Sequence, residues 1–534
     1  MEPLLARISA MSIDLVRGRH PVDAVLQYRV ASALAPRTRR GRSLVARMAA
    51  NPTTILIQEE QLAVLARYAL TYSQSGDSWP DNGDELLLDA MLGFNSLAES
   101  EIHAGADTTS EWFLRKEIRS SAADSENVAN VLRRYGEFSN WAASDDARNA
   151  RDYLDLDSLF HDATGLSYIE FATATFAFYV HFGGAAVKHP AEFKPFLELE
   201  PFCSQLRDGR VLRTWVQQTV VTATKARHLL GGLPESMSIA SLYPVMNTPL
   251  VEIRPGAIAC PALRYLPNVA GNGLIFRLVE FLEKRDGAKR AKQFRGFFGT
   301  FLEAYVFDIL KRSCCELADV TLFRELIYGR DTKRSSDIAI FRGSTAVFVD
   351  VTSKRFNTIH SLIELDRDYI DRDLRAMITG KYKQINDRAA DFRSGELRYT
   401  GIDAQNITDI VGLVVTPQGL ARFYGVNERI EALREPTDHL SAVEFFDLNE
   451  VEIIEDAYRG RLDLHELVKT KLADPPGRTR TLTNYLFIAD RQRLRQTKSN
   501  EELLAEPWFQ RVLETARGWG MPGDALDESA PALA

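Results

Sequence analysis

The chain has 534 residues, a formal net charge of −8, 45% hydrophobic and 26% charged residues, the composition of a globular protein of about two to four domains. The acidic balance excludes a surface coated throughout for nucleic acid, and four cysteines without C-x-x-C spacing exclude a disulfide framework and a structural zinc site. Such cysteine usage fits a reducing compartment, and MEPLLARISAMSIDLVRGRH lacks the apolar core of a signal peptide, so the expected location is the cytoplasm.

Residues 1 to about 50 carry PRTRRGRSLVAR, with five arginines between Arg37 and Arg47. The stretch reads as a solvated helix face or linker, with a phosphate-contacting arm as the alternative. From about Thr54 to Gly232 the pattern is helical: ILIQEEQLAVLARYAL, DELLLDAMLGFNSLAE, ENVANVLRRYGEFSN and VLRTWVQQTVVTATKARHLLGG repeat apolar residues near the 3.6 period. The apolar run Phe171 to Val187 is shorter than the ~20 residues of a membrane span, and Ser167 and Glu170 form a capping box before it, which predicts a buried helix. Pro234 to Gly273 is rich in proline, glycine and β-branched residues and predicts a hairpin-containing connector. From about Leu274 a helical stretch leads into GTFLEAYVFDILKR, then strands near TLFRELIYG, SSDIAIF and TAVFVDVTS. A long polar helix is predicted from about Ser361 to Phe392, then the buried strand DIVGLVVTP, with AVEFFDLNEVEII and NYLFIAD as further strand candidates. The tail PGDALDESAPALA has the composition of a disordered segment.

One constellation carries chemistry. Glu303 lies on a helical segment, Asp337 opens the strand IAIF, and Asp350 and Lys354 follow in TAVFVDVTSKRF. Continuing that strand through Lys354 sets Asp350, Thr352 and Lys354 on one face. A carboxylate directed into a core is costly unless paired or on a metal, and Mg²⁺ prefers oxygen ligands. Asp337 and Asp350 can hold Mg²⁺ or Mn²⁺, Glu303 can complete the metal environment, and Lys354 can stabilise charge on a phosphorane. The competing reading makes Asp350 and Lys354 a surface ion pair and Glu303 a solvated helix position. Between Phe281 and Thr400 there are 23 Lys and Arg against 18 Asp and Glu, a net of +5 that leaves −13 for the rest, so the basic excess falls on this window. P-loop, G-x-S-x-G and H-E-x-x-H motifs are absent, and the nine histidines are scattered.

In these residues the chain resembles the PD-(D/E)xK, or restriction-endonuclease-like, nuclease superfamily. Gly299 to Glu303 is similar to its helix motif, Asp337 to its first metal ligand, Asp350 to the acid of (D/E)-x-K, and KYKQINDR to its following helix, offering Lys381, Lys383 and Gln384. The resemblance covers about residues 290 to 420. It departs at Thr352, which occupies the usual lysine position, while Lys354 stands about 7 Å further along a strand.

The expected fold is multidomain, α plus α/β. Residues 1–232 form an all-α helical domain, 233–275 a β-containing connector, 276–521 a restriction-endonuclease-like α/β domain with a central mixed sheet, and 522–534 a disordered tail. The resemblance implies a Mg²⁺-dependent endonuclease acting on DNA rather than RNA, in restriction or anti-phage defence. Arg334, Arg355, Lys381, Lys383 and Gln384 would contact nucleic acid, the helical part would receive a protein partner, and no membrane is involved. The alternative, favoured by Thr352, is a catalytically degenerate nuclease fold that serves as a nucleic-acid-binding or protein-interaction scaffold.

Overall fold

The computed structural model describes residues 59–72, 128–188, 196–232, 248–330, 333–417, 438–489 and 506–521 apart from single positions, with a few isolated residues elsewhere. The arginine-rich stretch 37–47, most of the helix expected at 84–99 and the tail 522–534 lie outside them.

Ser167 and Glu170 form the expected capping box: Ser167 N–H donates to Glu170 Oε2 at 2.9 Å, and Glu170 N–H to Ser167 Oγ at 3.4 Å. They open a helix, Tyr168–Lys188, whose Phe171, Ala174, Phe176 and Phe178 are all buried. An all-round apolar helix must be covered on every side. Helices Val128–Ala142, Leu156–Thr164 and Arg210–Thr219 supply three covers, and Pro507–Gly518, from far along the chain, supplies another. With Glu59–Tyr72 as α1, these five are α2 (Val128–Ala142), α3 (Leu156–Thr164), α4 (Tyr168–Lys188), α5 (Arg210–Thr219) and, numbered below, α14 (Pro507–Gly518). Trp215 of α5 donates to Thr175 Oγ1 at 3.0 Å and stacks on Phe178, ring centroids 4.6 Å apart. Trp508 of α14 meets Tyr168 at 5.8 Å, and Phe509 meets Phe176 at 5.5 Å. Among the described residues no helix is long and apolar enough to cross a membrane.

A small sheet has the order β1-β4-β3-β2, from Phe196–Glu198 (β1), Val220–Thr222 (β2), Leu250–Arg254 (β3) and Ala257–Ala259 (β4). The β3–β4 hairpin is the one expected in the connector. Strands β1 and β2, three residues each, fall inside the stretch read as all-helical. Val220-Val221-Thr222 is β-branched throughout, and Thr222 caps the helix that follows, α6 (Ala223–Gly231).

The second sheet has the order β11-β10-β9-β8-β5. Its strands are β5 (Val320–Arg324), β8 (Ile338–Arg342), β9 (Thr345–Val351), β10 (Asp409–Thr416) and β11 (Ala442–Asp447); a separate hairpin, β6 (Ile327–Tyr328) and β7 (Lys333–Arg334), interrupts β5 and β8. Pairing is antiparallel from β5 through β8 to β9, and parallel from β9 through β10 to β11. Two helices precede it, α7 (Asn272–Asp286) and α8 (Ala288–Ser313). Val347, Val349 and Val351 of β9 join the core that contains α8, whereas Ala346 and Phe348 join the core on the opposite face. That opposite face is covered by α9 (Arg367–Leu374) and α10 (Gly380–Arg393), with Phe348 edge-on to Phe392 at 5.8 Å. The chain then forms α11 (Leu448–Tyr458), α12 (Leu464–Ala473) and α13 (Leu482–Ala489) before α14. The apolar core on the α8 face is continuous from Val131 of α2 through β9 to Val512 of α14.

Three expectations are corrected. NYLFIAD is helix α13, not a strand, and NEVEII belongs to α11, whose start is fixed by an Asp447–Glu450 capping box. The polar helix expected from Ser361 is broken: a wide turn, Thr358–Ile363, stops at Leu365, whose φ is 53°, and Asp366 then caps α9. A left-handed Leu is incompatible with continuing the helix.

Candidate active site

The site forms where β8 begins and β9 ends. Ile338 pairs with Val349, so one further step along the ladder sets Asp337 opposite Asp350. Val351 N–H donates to Asp337 Oδ2 at 2.6 Å, fixing that carboxyl against the end of β9. Asp350 shares the face of Ala346 and Phe348 and is fully buried, which rules out the surface ion pair weighed above.

The strand stops one residue later. Thr352 N–H still bonds Val415 O at 2.9 Å, but Thr352 Oγ1 accepts from Lys354 N–H at 3.2 Å and turns the backbone away. Lys354 is therefore not on the strand face that carries Asp350: it is exposed in the loop after β9, and its side chain has no hydrogen bond or ion pair among the described residues. The lysine beside the acid is Lys381 of α10, with Nζ 3.4 Å from Asp350 Oδ2 and a side chain only 16% exposed. Sequence reasoning had assigned Lys381 to phosphate contact.

Two further carboxyls face the same place. Glu303 comes from α8, one turn beyond Gly299, where the loop after β9 lies alongside: a Cβ at 299 would be in ordinary contact with Ser353 Oγ, at 3.6 Å. Glu325, in the turn between β5 and β6, was not singled out from the sequence, although it stands at a strand end like the acids that were. It accepts from Arg334 Nη1 at 3.0 Å.

The electrostatics mark these acids as one group. Burial pushes the Glu303 carboxyl up to about 7, helped by Glu325 and Asp350 and opposed by Lys381 and Arg334. Burial pushes Asp337 up to about 8, helped by Asp350 and Glu303. Asp350 and Glu325 are also raised, by burial first, with Lys381 the main opposing charge at Asp350 and Arg334 at Glu325. Four acids face two close cations, and the low-dielectric surroundings magnify the imbalance.

The other predicted contacts are held in different ways. Arg334 is held by Glu325, Arg355 Nη2 donates to Asn272 Oδ1 at 2.6 Å, Lys383 is exposed and Gln384 half-buried.

A hard divalent cation fits this donor set. The ligands are oxygens, the charge is in deficit of cations, and Asp350 Oδ1 is buried with no hydrogen-bond partner among the described residues. Among the described residues no three His, Cys, Asp or Glu side chains converge closely enough to cage an ion by themselves. Two carboxylates, Asp337 and Asp350, would hold it with water and substrate oxygens completing the shell, as is usual for Mg²⁺. Comparison of the chain with family models, curated proteins and solved structures found no match.

Proposed function

We propose that the chain is a metal-dependent endonuclease hydrolysing phosphodiester bonds of nucleic acid, DNA in preference to RNA. The observation that carries the reading is Asp350: buried, opposite Asp337, one oxygen on Lys381 and the other without a partner among the described residues. Also in support is the chain order around it, a helix with Glu303, three antiparallel strands, helices and a parallel strand, which is the order the PD-(D/E)xK resemblance implies. Restriction or defence, a cytoplasmic setting and a protein partner for the helical part belong to the same proposal.

A bound Mg²⁺ or Mn²⁺ would polarise the phosphoryl group and lower the pKa of a water. The chain's own residues do the rest. Val351 N–H and Lys381 fix one oxygen each of Asp337 and Asp350, so their other oxygens are aimed. The Lys381 ammonium meets negative charge as it develops on the phosphoryl oxygens. Glu303 approaches from α8 to orient water or complete the cation's surroundings.

A second reading, a nuclease fold that binds without cutting, is favoured by the lack of a three-ligand cage among the described residues. Incubating supercoiled plasmid and single-stranded DNA and RNA with Mg²⁺ or Mn²⁺ separates the two. The nuclease reading expects cutting that EDTA abolishes and Asp350→Ala removes. Salt-sensitive binding without cutting in any metal would replace it with the second.

A further inference from the structure

The cations on the strands, helix and loop that carry the candidate site differ in how they are held. Lys381 is paired with Asp350 at 3.4 Å and Arg334 with Glu325 at 3.0 Å. Lys333 is paired with Asp391 at 3.2 Å and Glu396 at 2.9 Å, and Arg388 lies 3.7 Å from Asp391. Arg355 is different. It lies in the loop that follows Asp350, and no carboxylate among the described residues is within ion-pair distance of it. It is nevertheless immobilised: Nη2 donates to Asn272 Oδ1 at 2.6 Å, and Cζ lies 5.6 Å from the centroid of the Phe276 ring.

The Asn272 oxygen is itself fixed. It accepts a second hydrogen bond, 2.9 Å from the hydroxyl of Tyr135, a buried α2 residue whose ring stacks on Phe298 of α8. A carboxylate at position 272 would hold the guanidinium equally well but would cancel its charge. An amide oxygen positions the group without cancelling its positive charge or occupying its remaining N–H donors. A guanidinium ordered before binding loses less entropy when it takes up a planar, two-pronged oxyanion. Lys354 and Lys383, both exposed, lack such anchoring.

Resting on the nucleic-acid reading above, we infer that Arg355 is a pre-set receptor for one backbone phosphodiester of the substrate, and that Asn272 and Phe276 are its positioning residues. Asn272 thereby ties substrate placement to α2 of the helical part.

The test is fluorescence anisotropy of short fluorescein-labelled DNA, duplex and single-stranded, in EDTA over a range of salt concentrations. Thermal melts confirm that each variant is folded. Arg355→Gln should weaken binding and reduce the slope of log affinity against log salt by about 0.7 to 0.9, the value of one phosphate contact. Asn272→Asp should flatten the slope in the same way, because the new carboxylate neutralises Arg355. Asn272→Ala and the mild variant Arg355→Lys should weaken binding several-fold with the slope retained, since the charge remains but its placement is lost. Wild-type affinity and slope in Arg355→Gln overturn the receptor, and wild-type behaviour in both Asn272 variants overturns the positioning role. If the wild type binds and cuts while these variants are silent, this inference alone fails. If the wild type shows neither salt-dependent binding nor cutting, the nucleic-acid reading fails and takes this inference with it.

Discussion

Lys381 Nζ lies 3.4 Å from Asp350 Oδ2, although the two residues are 31 positions apart and on different elements. The acid is at the end of a strand and the lysine one residue into α10. Lys381→Met should lower the rate of DNA cutting on the order of 10²-fold or more, as removal of a preorganised charge-stabilising donor does. Lys354→Ala should retain most of it. A side-by-side plasmid assay reads both, and equal losses would return the role to Lys354.

The crowded acids have a stability consequence with a definite sign. Asp337 has an ordinary value of 3.8 that the fold raises to about 8. Between those pH values the unfolded chain releases this proton and the folded chain keeps it. Stability of the metal-free protein therefore falls as pH rises from about 4 to about 8. Asp337→Asn removes the loss, so in EDTA it should be more stable than wild type at pH 8, on the order of 2 kcal/mol, and close to it near pH 4. Denaturant titrations at the two pH values check this, and a variant less stable at pH 8 would refute it.

Gly136 lies inside α2, where alanine normally stabilises a helix by about 0.5–1 kcal/mol. Here a Cβ would overlap the indole of Trp508. Gly136→Ala should instead destabilise by about 1–3 kcal/mol, because α14 must shift or Trp508 must leave its rotamer. The melting temperature should drop, and pairing the change with Trp508→Leu should restore part of it.

Arg134 and Glu452 form a buried pair, each side chain 1% exposed, with Arg134 Nε and Nη2 at 2.9 and 3.0 Å from the two carboxylate oxygens. Tyr305 of α8 adds a hydrogen bond to Glu452 Oε1 at 2.7 Å. Glu452→Ala removes the buried carboxylate that takes two hydrogen bonds from the Arg134 guanidinium and should cost about 3–5 kcal/mol. Tyr305→Phe removes one neutral donor and should cost on the order of 1–2 kcal/mol. Chemical denaturation ranks the two, and a cost for Tyr305→Phe as large as for Glu452→Ala would contradict this division.

What the sequence made legible follows physical lines. DIVGLVVTP and TAVFVDV were readable because a strand covered on both faces needs a largely apolar run, and Pro417 marks the end of the first as the tight turn at Gly343 marks the start of the second. Asp337 and Asp350 were readable as acids at strand ends. Lys354 leaves the Asp350 face because the alternation rule holds only while the strand lasts, and the Thr352 hydroxyl ends it. Lys381 depends on how α10 crosses the sheet, which no local pattern encodes. NYLFIAD failed for another reason: a short apolar run with aromatic and β-branched residues fits either period, and the packing of α13 on α11 decides it.

The seat of Trp508 against Gly136 has a consequence for how the molecule is made. Until residues 507–518 have left the ribosome, the faces of α2 and α4 that receive Trp508 and Phe509 lack those two side chains. A nascent chain that already contains every residue of the candidate site would thus still lack the aromatic cover that α14 gives those two helices, the kind of transiently exposed apolar surface that favours association before folding is complete.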